Sequence, residues 1–343
     1  MTPALLGLLC DPLTKEPLTL EAPRHDSSGR IDSGTLRSPS GSSFPIVGGV
    51  PRFLQGGQRA ESVGSFGDQW NHFNFIEFKE HWLRHSVANT FGSAEAFCGA
   101  MVVDAGGGSG AQTLWMLESG AKHVIMLELS DSVDDVVRRN LEPSGFTNYD
   151  VVQCSIDQPP LRPRSIEGIV LCHNVIQHTR SVELTARALF DLVAPGGEFV
   201  FNCYPTNDET PLRWIRFHLV YRPLRGVLRR APFAVTLNYA RAMALLRLVP
   251  VAGAFLEKAG LCVQGDVPRP DGEGPLEHLR HRYRATRLNT FDGFGGHSYQ
   301  HHKSDGEIRA LVESLQPDPQ RVDNAEAYFS RPKPIGIALR VRR

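Results

Sequence analysis

The chain has 343 residues, of which 41% are hydrophobic and 22% charged, with 37 basic side chains balanced by 37 acidic ones. This is a globular composition with room for one large core and a smaller appended unit. A net charge of zero removes any global attraction to nucleic acid or to an anionic membrane, which leaves only local patches to supply one.

Residues 1–57 are rich in Pro, Gly and Ser, with apolar runs at each end (ALLGLLC, FPIVGGVPRFL), and read as a small β-rich module closed by turns. Residues 58–98 form an aromatic, amphipathic helical segment carrying Trp70, Phe73 and Trp82. An aromatic stripe at helical spacing belongs to a core more often than to a ligand site, although these rings could also cap a cofactor. Residues 99–204 alternate short strand-like runs with helical stretches, the pattern of a parallel α/β sheet. Residues 205–260 are basic, Leu-rich and helical, and 261–343 return to short apolar runs around a histidine-rich loop.

The six cysteines are scattered without a C-x-x-C pair, which predicts buried free thiols in a reducing compartment. The N-terminus lacks a basic stretch followed by a long apolar one, and no run of 18 apolar residues occurs. The expectation is a cytoplasmic protein without stable membrane insertion.

The chemistry concentrates in MVVDAGGGSG, an apolar strand entering a turn with glycines at 106, 107, 108 and 110, with a helix opening near Ala111. Such a turn lets a ligand touch the backbone, and amides at the helix start face an electron-rich group. The next strand-like run, HVIMLELS, ends on Glu128, 24 residues after Asp104, where a carboxylate can accept both hydroxyls of a ribose. A dinucleotide and S-adenosylmethionine both fit a unit of this kind. The turn is not G-x-G-x-x-G, and Asp104 would repel a diphosphate while suiting an ammonium group, so charge favours S-adenosylmethionine.

Taken in order, VVDAGGGSG, MLELS, GIVLCHNVIQHT and LFDLVAPGGEFVFNCY resemble the motif set of the class I S-adenosylmethionine-dependent methyltransferases over about a hundred residues. The resemblance implies that Asp104, Gly106, Gly108 and Gly110 cradle the methionine part. It places Glu128 and Leu129 at the ribose and Ser155 and Ile156 at the adenine. Asp157 stands two residues beyond the position where the family often has aspartate. His173 and Asn174 would end the fourth strand beside donor and acceptor, and V-I-Q-H-T keeps His178 of the family's V-L-H-H-T while Gln177 replaces the first histidine.

Two flanks resemble segments of one branch of the same family. SFGDQWNHF precedes the core, and NTFDGFGGHSYQHHK keeps Asp292, Tyr299, Gln300, His301 and His302 with glycines at the usual aromatic and proline positions. Tyr299, His301 and His302, with His178, are the candidate catalytic residues, since imidazole titrates near neutrality. His297 joins the three histidines as a possible base or structural donor. The N-terminal LLCDPLTKEPLTL and FPIVGGVP resemble a zinc-ribbon-like module that activates some tRNA and release-factor methyltransferases. Its four cysteine positions fall on Asp11, Thr14, Arg37 and Ser40, which cannot hold zinc, so the expectation is the fold without the metal. Between Arg213 and Arg247 stand eight arginines and no acid. They suit a lid over an anionic substrate, a membrane-surface contact or a solvated helix pair.

The expected architecture is α/β: a doubly wound, mostly parallel seven-stranded sheet, with a β-rich N-terminal module and a helical insert. The expected activity is methyl transfer from S-adenosylmethionine to an O, N or C nucleophile of a small molecule, without DNA or metal, in a monomer or homodimer. A tRNA or protein methyltransferase and a non-catalytic cofactor-binding partner subunit are the alternatives.

Overall fold

Four short strands, β1 (Thr19–His25), β2 (Ile31–Arg37), β3 (Ser43–Val47) and β4 (Val50–Pro51), form an antiparallel meander near the N-terminus. Burial alternates along β3, with Phe44 and Ile46 turned inward, as expected of a sheet with one wet face. The computed structural model describes residues 1–54, 62–206, 210–263, 273–317, 322–331 and 336–343. They divide into two units, Met1–Tyr204 with Tyr299–Arg343, and Pro205–Ser298.

In the first unit the central sheet comprises β5 (Met101–Ala105), β6 (His123–Glu128), β7 (Tyr149–Gln153), β8 (Ile169–Cys172), β9 (Glu198–Phe201) and β10 (Leu339–Arg342). Their spatial order is β10-β9-β8-β5-β6-β7, with β5 to β9 parallel and β10 antiparallel to β9. β6, β8 and β9 are buried almost without alternation because helices cover both faces. The helix Ala111–Glu118 is correspondingly apolar, burying Leu114, Trp115, Met116 and Leu117.

The described residues hold six strands in this sheet, not the seven expected. Among the described residues one antiparallel bridge lies beyond β10, Val322 to Val341, and the helix Ala325–Phe329 follows it. The order reverses at β5, which has β6 on one side and β8 on the other. A crevice outside the carboxyl ends of these strands is where open α/β sheets take ligands.

The meander shares the core of this unit. Ile31, Leu36, Phe44, Ile46 and Phe53 join Ile125, Leu127 and Val152 in one apolar cluster. Arg52 bridges Gln153 in parallel, and the Phe53 amide donates to the Gln153 carbonyl at 2.8 Å. The carboxyl end of the outer edge of β7 is thereby paired.

At the foot of the meander the buried Asp11 carboxylate accepts from the Leu13 amide (2.8 Å), the Thr14 amide (3.1 Å) and the Ser40 hydroxyl (3.4 Å). Burial opposes its charge, but the Thr14 and Leu13 amides and the Ser38 and Ser40 hydroxyls outweigh it and lower its pKa. Asp11→Ala is expected to cost about 1–3 kcal/mol in urea unfolding near neutral pH. The wild-type advantage is present above the unfolded pKa of about 4 and disappears as pH falls through the lowered folded value. Equal unfolding midpoints at pH 7 would mean that these bonds do not stabilise the turn.

The second unit is helical. Pro211–Ile215, Arg216–Tyr221 (a π-helical stretch) and Arg222–Leu228 follow one another, with Thr210 capping the first through the Arg213 amide at 3.3 Å. Then come Phe233–Arg247, Pro250–Ala259 and Pro275–Phe294. Phe294 is the centre of its core, ringed by Tyr221 at 5.0 Å and Tyr239 at 5.5 Å between centroids. The sequence suggested an insert ending near residue 260; the helix Pro275–Phe294 packs on Phe233–Arg247 and extends the unit to Ser298.

Candidate active site

The glycine turn leaves the carboxyl end of β5. Gly106, Gly108 and Gly110 hold φ of 87°, 60° and 78°, a region that side chains with a Cβ rarely adopt. Close neighbours make the requirement stricter. A Cβ on Gly106 would lie 2.4 Å from Val175, and one on Gly108 would lie 2.8 Å from the Trp70 indole. The turn is therefore held between the segment after β8 and the aromatic helix Ser62–His72. Gly110 ends it and caps the helix Ala111–Glu118.

Both acids of the sequence pattern are buried here. The Asp104 carboxylate accepts from the Thr113 hydroxyl at 2.6 Å. Burial without a counter-charge pushes its carboxyl up to about 6, with the Thr113 bond pulling the other way and the Glu128 charge adding to the rise. Glu128 accepts from the Gly108 amide (2.8 Å) through one oxygen, and from the Ser130 amide (2.8 Å) and hydroxyl (2.6 Å) through the other. Ser132 continues the chain of bonds to the Gly108 carbonyl at 2.8 Å. Burial raises the pKa of Glu128 and these donors oppose the rise. Glu128 thus braces the glycine turn, a role that its position as a strand-end acid did not announce. Ser130 and Ser132, adjacent in L-E-L-S-D-S, were the available signal.

At the end of β8, Asn174 sits in the left-handed region (φ 59°), and its amide donates to Asn202 Oδ1 at 2.6 Å. Asn202 Nδ2 donates back to Asn174 Oδ1 at 2.6 Å, so the two asparagines lock the turn. His173 is buried, with its Nε2 unpartnered, and burial takes its pKa down to about 4, so the ring is neutral at physiological pH. Gln177 is wholly buried, and neither atom of its side-chain amide has a partner. Buried polar atoms left unpaired are costly, so those of His173 and Gln177 call for a partner such as water or a ligand.

His178 Nδ1 lies 3.2 Å from the Tyr299 carbonyl, which can only accept, so that nitrogen carries the hydrogen. The ring stands edge-on to Phe66 and Tyr204, each 5.7 Å away. His301 donates from Nε2 to the Thr179 carbonyl at 3.0 Å and from its amide to the Gln177 carbonyl at 2.8 Å. It clamps the histidine loop onto the 176–179 turn, with its ring stacked on Tyr299. His302 packs against Tyr204 at 5.8 Å. The four candidate catalytic residues therefore gather at one place. His297 falls in the helical unit instead, its Nε2 3.5 Å from Asp292.

The remaining sequence-based candidates make contacts within the protein. Ile156 is buried in the apolar core, and Ser155 receives the Asp157 amide at 3.4 Å. Asp157 accepts from the Thr185 hydroxyl and lies 3.5 Å from Arg180. Leu129 is half-buried, its carbonyl 3.4 Å from the Gln153 amide nitrogen. Trp82 is buried between Phe97 and Trp115, and Phe73 is buried as well, which leaves Trp70 as the aromatic residue at the turn. Among the described residues no group of three or more His, Cys, Asp or Glu is arranged to hold a metal ion.

Residues 103–201 match the family described as "Methyltransferase domain". The match runs from β5 to β9 of the central sheet and takes in less than a third of the chain. No curated protein matches the chain. Among solved structures, it is similar to an S-adenosylmethionine-dependent methyltransferase from Mesorhizobium loti, at 24% identity over 34% of this chain and 52% of that one, with a TM-score of 0.30. It is similar to a geranyl diphosphate methyltransferase in complex with its substrate and sinefungin, at 16% identity over 40% and 49%, with a TM-score of 0.32. The YcgJ protein of Bacillus subtilis is matched at 13% identity over 72% and 90%, with a TM-score of 0.33. The chain spans about half the length of the first of these structures.

Proposed function

We propose that the chain binds S-adenosylmethionine at the Gly106–Gly110 turn and methylates an O, N or C nucleophile of a small molecule. The observation that carries this reading is the turn itself, its Gly108 amide held by the buried Glu128 carboxylate, with the unpartnered polar atoms of His173 and Gln177 after β8 in support. The residues fit the group. The glycine turn leaves its backbone bare of side chains of its own, although Val175 and Trp70 pack against Gly106 and Gly108, Asp104 offers a carboxylate to an ammonium, and Glu128 Oε2 accepts one bond within the protein and has capacity for a ribose hydroxyl.

When bound, the cofactor supplies an already activated sulfonium methyl. What the chain supplies is alignment, worth more here than a strong base. His173, neutral and buried, offers its ring nitrogen to the reacting pair or to the cofactor's polar end. His178, with its hydrogen fixed on Nδ1 by the Tyr299 carbonyl, presents Nε2 as the acceptor for a proton from the nucleophile. Tyr299 and His302 border the acceptor, and His301 positions that loop through Thr179 and Gln177.

Calorimetric titration of S-adenosylmethionine and S-adenosylhomocysteine into wild type, Glu128→Gln and Glu128→Ala tests the reading. Micromolar binding by wild type, about −8 kcal/mol, should weaken at least about tenfold in Glu128→Gln and vanish in Glu128→Ala. Absence of binding by folded wild type would overturn it. Tight binding with no turnover across an acceptor screen would leave a cofactor-binding partner subunit.

A further inference from the structure

The helical unit carries an unusual surface. Among the described residues, 13 of the 18 exposed large apolar side chains belong to it. The most open are Val251 (84% exposed), Leu212 (74%), Phe255 (66%) and Leu219 (62%). Leu212, Ile215 and Leu219 recur at helical spacing on one stripe, and Val251 and Phe255 are one turn apart on the helix Pro250–Ala259. The two helical stretches are neighbours: a Cβ on Gly260 would lie 2.6 Å from the Arg216 side chain. Exposed apolar groups on this scale mark an interaction surface more often than chance.

The charge around these groups selects the partner. Residues 210–256 contain eight arginines and no acidic residue or lysine. Several of these arginines spend their hydrogen bonds on neutral groups. Arg222 lies 3.4 Å from His218, Arg225 and Arg229 donate to the carbonyls of His297 and Ser298, and Arg230 donates to the Gly226 carbonyl. Among the described residues Arg222, Arg229 and Arg230 make no ion pair, whereas Asp292 acts on Arg225 and Arg247 pairs with Glu257 at 3.1 Å.

We infer that this face docks on an anionic lipid bilayer. A bilayer surface is the partner that presents an apolar layer directly beneath a negative one, which is what a helix face of mixed leucine and arginine engages. A second copy of the same face would set arginines against arginines. A nucleic acid would satisfy the arginines and leave Val251 and Phe255 in water. None of the described helices is long and apolar enough to cross a membrane, so the contact is with the surface, not through it. This inference is independent of the cofactor reading.

The test is co-sedimentation of the full chain with vesicles of phosphatidylcholine alone, and of phosphatidylcholine with about one third phosphatidylglycerol, at low and high salt. Wild type should pellet with the anionic vesicles, stay in solution with the neutral ones, and bind about tenfold less at high salt. Leu212→Ser/Leu219→Ser/Val251→Ser/Phe255→Ser removes exposed groups only. It should keep the wild-type circular dichroism spectrum and lose vesicle binding, as should Arg222→Gln/Arg230→Gln/Arg241→Gln. Wild type remaining in solution with both vesicles would overturn the proposal, and so would equal pelleting of the quadruple serine variant. A dimer that the serine variant dissolves, without vesicle binding by either, would instead assign the face to a second copy of the chain.

Discussion

Gly108→Ala is expected to abolish detectable S-adenosylmethionine binding and to cost the fold on the order of 2 kcal/mol. Two separate penalties act at this position. The backbone stands at φ 60°, where a Cβ meets the following carbonyl at a cost of about 1–2 kcal/mol. The new methyl would also lie 2.8 Å from Trp70 Cε2 and 3.1 Å from Nε1, so the indole or the turn must shift. A shift of the turn pulls the Gly108 amide from Glu128, whose other oxygen is held by Ser130, and the brace beneath the cradle slackens. Trp70→Ala/Gly108→Ala separates the two penalties, because it removes the indole and leaves the left-handed backbone. Urea unfolding should show partial recovery of stability in the double variant, while calorimetry should show no recovery of binding. Wild-type affinity in Gly108→Ala would mean that the turn does not touch the ligand.

The parts of this site that were legible in the sequence are those encoded locally. A strand run, clustered glycines and an acid at the next strand end lie within 28 residues of one another, and each is set by backbone constraints that a sequence displays. The parallel order of the sheet followed from the alternation of apolar runs with helices. What stayed hidden depends on contacts between distant segments. Nothing in the 62–72 helix distinguishes Trp70, lying against Gly108, from Trp82, buried against Trp115. His301 is one of several histidines until its bonds to Thr179 and Gln177 show it to be a clamp. The extent of the helical unit to Ser298 depends on contacts of the same kind. The sequence of Pro275–Phe294 is charged and weakly amphipathic, and only its packing on Phe233–Arg247 places it there.

A last expectation concerns two buried groups that titrate in opposite senses. Asp104 has a folded pKa of about 6 because burial penalises its charge, above the value of about 4 for an unfolded aspartate. Between those values the folded state holds the proton more tightly, so this group's contribution to stability is lost as pH rises from about 4 to about 6. His173 is the reverse case. Burial lowers it to about 4, below the unfolded value of about 6.5, so its contribution is lost as pH falls through the same window. Each shift of roughly two units corresponds to a slope totalling about 3 kcal/mol, and in the wild type the two offset each other. Asp104→Asn should leave the histidine slope exposed, with stability falling as the solution is acidified from about pH 6.5 to about pH 4. His173→Gln should leave the aspartate slope, with stability rising over the same change. Urea unfolding of the three proteins at matched pH values reads the difference, since other titrating groups such as His81 are common to all three. Three parallel curves would mean that neither group is desolvated as the structure places it. If the curves diverge as expected, a second consequence follows for binding. A cationic ligand favours the ionised Asp104, so affinity for S-adenosylmethionine should strengthen as pH rises through about 6 and should lose that dependence in Asp104→Asn.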